Sequence, residues 1–139
     1  WLGHLAARAG AALLAGAGEL PRGTVQSPGD ATTARAVWVP ALWLPEMANL
    51  LLGAQRRRRI TADKRAELAA AASALRLQVC REPVSLQTLD ALAADHTLSA
   101  YDACYLELAL RRRLPLATLD KALLTAMKRS GVPTVALPA

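Results

Sequence analysis

Three acids in this sequence, Glu46, Asp102 and Asp120, stand where a carboxylate could do chemistry. Glu46 lies in "ALWLPEMANLLLGAQ", Asp102 in "SAYDACYLELALRRR", and Asp120 between "PLATL" and "KALLTAMK". From Ala41 to Ala54 the only polar residues are Glu46 and Asn49, which are i, i+3 neighbours on one helical face. A helix apolar nearly all round is a buried helix, so its single glutamate is not there for solubility. Each acid also has an ordinary reading. Glu46 follows Pro45 in a first turn, where the helix dipole favours an anion. Asp102 follows Ser99 by three residues, close to a capping box, and Asp120 is placed to cap the helix after it. Against a mere cap at Asp102 stands the helical wheel, which sets it on the side of Leu106 and Ala109, opposite Glu107 and Arg111. A carboxylate facing a core needs a cation or several donors to offset its desolvation.

Three caps would be unrelated facts, whereas three inward acids at one place would make an anionic pocket. Such a pocket repels itself, so at least one carboxyl should have a raised pKa until a divalent cation neutralises it. All-oxygen ligands suit Mg²⁺ or Mn²⁺. A metal so held activates water and steadies an in-line phosphodiester displacement. Only His4 and His96 are available as imidazoles, which argues against zinc. Cys80 and Cys104 make no disulfide framework, and their apolar surroundings suit a reducing cytoplasm.

The elements that must position these acids alternate along the chain. Helices are predicted over 3–17, 41–55, 61–75 (capped by Thr61), 85–96 (capped by Ser85), 99–113 and 120–130 (ended by Gly131). Short strands are predicted over 36–39, 77–80, 115–119 and 133–137, with a loop at 21–30. This alternation predicts an α/β fold, a parallel sheet with helices on both faces. Ligands of such sheets gather beyond the carboxyl ends of the strands, where helix N-termini also point. Acids at strand-to-helix junctions should converge on that edge.

Composition bounds the rest. The 139 residues, 53% hydrophobic, suffice for one domain with one core and argue against disorder. No apolar run reaches bilayer length, and His4 and Arg8 break up the apolar opening that would otherwise suit a signal peptide. The expected chain is cytoplasmic, with no membrane partner. Seventeen Lys and Arg against 11 acids leave a net charge of +6, much of it in Arg56, Arg57, Arg58, Arg59 and in Arg111, Arg112, Arg113. These runs read either as solvated cations at helix C-termini or as a salt-sensitive phosphate surface that binds RNA. A DNA-binding module has little support, because no helix-turn-helix is recognisable and aromatics do not interleave the arginines.

"VPALWLPEMANLLL", "LSAYDACYLELALRRRLPLATLD" and "SGVPTVAL" resemble PIN-domain proteins, specifically the VapC ribonuclease toxins of bacterial toxin–antitoxin pairs. The resemblance covers residues 36–137 of a single domain spanning 1–139, with 1–35 as a divergent or truncated N-terminal part. It implies a PIN-like α/β/α fold and a Mg²⁺- or Mn²⁺-dependent endoribonuclease. It assigns metal-binding acids to Glu46, Asp102 and Asp120, and makes Thr118 a hydroxyl beside the metal-bound water. It further implies a homodimer and a VapB-like antitoxin, docking near Arg56–Arg59. The family opens with a strand ending in Asp, which this chain lacks before its first helix. Its absence would remove the central strand and one principal ligand. The alternative to an impaired nuclease is a catalytically inactive PIN-like module that binds an antitoxin peptide or itself.

Overall fold

The β-branched run "AVWVP" forms β2 (Ala36–Pro40) and "LQVC" forms β3 (Leu77–Cys80). They pair in parallel, Val37 opposite Leu77 and Pro40 opposite Cys80. The computed structural model describes residues 13–16, by their backbone, and 36–135. Residues 13–16 form β1 (Leu13–Gly16), which pairs antiparallel with β2 on one side and with β4 (Leu116–Ala117) on the other. The sheet order is β3-β2-β1-β4.

Two expectations are corrected here. Part of the predicted helix 3–17 is a strand, because ladder bonds on both sides override the modest helical preference of an Ala/Leu run. The sheet is therefore mixed rather than wholly parallel, and a strand does occupy its centre. Since β2 and β4 both oppose β1, they run the same way, and the carboxyl ends of β2, β3 and β4 share one edge. The predicted strand 115–119 contracts to Leu116–Ala117, and the described part of that at 133–137, residues 133–135, forms a parallel bridge between Leu116 and Thr134. The remainder of 1–35, including the predicted loop 21–30, and residues 136–139 lie outside the described residues.

Five helices follow among the described residues: α1 (Trp43–Arg56), α2 (Ala62–Ser73), α3 (Leu86–His96), α4 (Ala100–Arg112) and α5 (Lys121–Ser130). Four begin on the side chains that the sequence offers as caps. Thr61, Ser85, Ser99 and Asp120 accept from the N–H groups of Lys64, Thr88, Asp102 and Leu123 at 3.1, 3.1, 3.1 and 2.8 Å. Each such cap satisfies a donor the helix cannot, for about 1 kcal/mol. Helix α1 starts without one, directly from the β2 turn, with Leu42 at its N-cap.

Strand alternation sorts the helices onto two faces of the β2–β3 pair. Leu77 and Val79 meet α1 and α2 across a shared groove, whereas Cys80 and Trp38 meet Arg111 and Arg112 of α4. Val39, Tyr105, Leu106, Leu108, Leu116, Leu123 and Met127 form the fully buried centre. Helix α4 contributes most to it and packs on β1, β2 and β4. No helix among the described residues is long and apolar enough to cross a membrane.

Candidate functional site

Glu46 sits in the first turn of α1, six residues beyond the carboxyl end of β2. Its helix is less buried than its composition suggests. Trp43, Met47 and Leu51 face the core, while Leu44, Pro45, Ala48 and Asn49 are exposed. Glu46 lies at the border of those faces, half-buried, and its Oε2 accepts a short hydrogen bond from the hydroxyl of Tyr105. Burial pushes the Glu46 carboxyl above its ordinary value, the Tyr105 bond opposes that, and the charge of Asp102 adds to it. Desolvation, rather than repulsion between acids, is the main cause of that rise. Tyr105 is held as a neutral phenol, pushed far up by burial and then by Glu46.

Asp102 lies in the first turn of α4, three residues before Tyr105. Its backbone N–H donates to Ser99 Oγ at 3.1 Å, and that hydroxyl donates back to Asp102 Oδ2 at 2.6 Å. Asp102 therefore takes part in a cap while also acting on Glu46, 56 positions away in the chain by residue number.

Asp120 follows β4 at the same edge, and its Oδ1 accepts from Leu123 N–H at 2.8 Å. Its own N–H donates to Thr118 Oγ1 at 3.0 Å, and Thr118 is buried. Thr118 and Asp120 are thus turned onto the start of α5. No group of three His, Cys, Asp or Glu placed to hold a metal occurs among the described residues. Tyr105, one turn beyond Asp102 on α4, ties Glu46 to that helix, while Asp120 caps α5. A donor set of carboxylate oxygens fits a hard cation in kind, with two acids supplying the negative charge.

The wheel sets Glu107 and Arg111 opposite Leu106 and Ala109; Arg111 is exposed there, but Glu107 is buried. Glu107 is 8% exposed, because α3 and the β3–α3 connection cover that flank of α4. Arg111 Nε donates to Glu107 Oε1 at 2.7 Å, its Nη2 reaches Cys80 Sγ at 3.5 Å, and its Nη1 pairs with Glu82. Arg112 donates to Glu82 Oε1 at 2.7 Å and stacks 3.9 Å from the Trp38 ring. Arg111 and Arg112 are therefore engaged in ion pairs with the chain's own acids, at a partly exposed flank of α4. Arg56–Arg59 are all exposed and enter none of the ion pairs among the described residues, although Arg57 folds back over Gly53.

Two cavities flank these groups. A cleft of about 240 Å³ beside Glu107 and Arg111 takes in both cysteines, with burial and the charges of Glu107 and Glu46 pushing the Cys104 thiol up. An apolar groove of about 300 Å³ runs between α1, α2 and β3, lined by Trp43, Leu44, Met47, Ala72, Leu75 and Val79. Tyr105 is the site residue that composition and wheel did not single out. Its signal was its spacing, one turn after Asp102 on the same helix. Comparison with known family models, with curated proteins and with solved structures finds no match to this chain.

Proposed function

We propose that this chain is a PIN-like, VapC-type endoribonuclease, with Glu46 and Asp102 as the acids that hold Mg²⁺ or Mn²⁺. The observation that carries this reading is the Tyr105–Glu46 hydrogen bond, which seats the first turn of α1 against α4 one turn from Asp102. An uncompensated carboxylate pair with one raised pKa gains from a divalent cation, which would activate water for attack on a phosphodiester. The chain's own residues would orient that cation through Glu46 and Asp102. Arg56–Arg59 would hold the RNA backbone through exposed guanidinium groups. Asp120 and Thr118 serve as a cap in the free protein, and Asp120 is assigned as a third ligand by the resemblance alone.

The second reading is an inactive PIN-like module. Two observations favour it: Asp120 is committed to its own helix, and the α1–α2 groove offers an apolar surface to a partner. A second copy or an antitoxin segment, with acids reaching Arg56–Arg59, fits that groove in kind.

Cleavage of structured RNA by the 139-residue chain, with and without Mn²⁺, separates the two. The nuclease reading expects Mn²⁺-dependent cleavage that Glu46→Gln removes. Salt-dependent RNA binding with no cleavage at any Mn²⁺ concentration would instead select the binding module.

A further inference from the structure

We propose that Tyr105 is the positioning residue of Glu46, holding one carboxylate oxygen so that the other is presented to a cation. This rests on the reading of Glu46 as a metal ligand and adds to it a residue that reading does not contain. The phenol donates to Oε2, while Oε1 has no partner among the described residues and is not sealed from solvent. The anchor is rigid, since Tyr105 is 0% exposed and its ring belongs to the core cluster with Leu106, Leu108 and Val39. It also stands one turn beyond Asp102 on α4. A single helix thus supplies one acid and fixes the other, so the spacing of the two carboxylates is set by α4 rather than by the exposed part of α1.

The chemistry of the anchor matters as much as its place. An arginine there would orient Glu46 but also neutralise it, as Arg111 does for Glu107. A phenol orients the carboxylate and leaves its negative charge available, which is what a cation site needs. Partners behind a ligand are worth roughly 10- to 100-fold in metal affinity.

The test measures Mn²⁺ binding to the full chain by electron paramagnetic resonance of the free ion, for wild type, Tyr105→Phe, Glu46→Gln and the double variant. Phenylalanine keeps the buried ring, so the fold is retained. Tyr105→Phe should weaken Mn²⁺ about 10-fold without lowering the melting temperature of the apoprotein in proportion. In the Glu46→Gln background it should cost nothing further, because its route is through Glu46. Wild-type affinity in Tyr105→Phe, with loss in Glu46→Gln, overturns the inference and leaves the ligand reading standing. An equal extra loss in the double variant overturns it as well. Absence of Mn²⁺ binding by the wild type defeats the ligand reading and the inference together. Should Tyr105→Phe fold poorly, the tyrosine absorbance of the unaltered chain decides: Mn²⁺ should perturb it in wild type and not in Glu46→Gln, and an unperturbed spectrum overturns the proposal.

Discussion

Helix α4 borders two carboxylates withdrawn from water and treats them in opposite ways. Glu107, on α4 itself, is met by the Arg111 guanidinium at 2.7 Å, with Glu82 and Arg112 extending the network. Glu46, reaching α4 from α1, is met by the Tyr105 phenol and faces a second anion, Asp102. A withdrawn charge needs compensation. At Glu107 the chain carries the compensating cation. At Glu46, among the described residues, it carries a hydrogen-bond donor and no paired cation. The first arrangement closes α4 onto β3 and the β3–α3 connection, and nothing further is required of it. The second has no paired cation among the described residues, and the proposed function makes use of that difference.

The contrast breaks most visibly at Glu46. Under the proposed function, Glu46→Gln should lower Mn²⁺-dependent RNA cleavage by about 100-fold or more, since losing a direct ligand exceeds losing a partner behind it. The apoprotein should be no less stable, because glutamine keeps an oxygen for Tyr105 and removes the repulsion with Asp102. A large loss of apo stability would make Glu46 a structural group like Glu107.

The mirror experiment is Glu107→Gln. It strands the Arg111 guanidinium beside Cys80. A fully buried pair broken this way costs 3–5 kcal/mol, and the partial exposure of Arg111 brings the expectation to roughly 2 kcal/mol. Urea unfolding measures it, and Mn²⁺ affinity should not change. A fall in metal affinity without a fall in stability would reverse the assignment of the two carboxylates.

Asp120 supplies a third point of comparison. Asp120→Ala should cost about 1 kcal/mol through the lost bond to Leu123 N–H, whereas Asp120→Asn, which also caps, should cost little. If Asp120→Asn lowers Mn²⁺ affinity at unchanged stability, Asp120 leaves its cap to join the site.

The smallest effect is in pH dependence. The Glu46 carboxyl is raised in the folded chain above its ordinary 4.5, so the native state holds its proton more tightly than the unfolded state. Its contribution is fully present below pH 4.5 and is lost as pH rises through the folded value, giving stability a downward slope just above 4.5. Glu46→Gln should remove that slope, and Mn²⁺ should oppose it by favouring the ionised form. Thermal melts between pH 4 and 7 read the difference (a window of about three units around the ordinary carboxylate range).

What could be read from the sequence alone is whatever closes within a few residues. The caps at Thr61, Ser85, Ser99 and Asp120 each join a side chain to an N–H three positions on, so the residue types sufficed to locate four helix starts. The strands 36–39 and 77–80 were legible for a like reason, as short, largely apolar runs carrying valine. Three acids in apolar settings could be singled out too, since an unexplained charge is visible without a partner. Their partners were not. Tyr105 reaches Glu46 across 59 positions and Arg111 reaches Glu82 across 29, and such contacts depend on how helices dock on a sheet. Tertiary packing alone buried Glu107, joined Arg111 and Arg112 to Glu82 and turned an Ala/Leu run into an antiparallel strand. Local chemistry selects which groups need compensation, and the fold decides which of them receive it from within the chain.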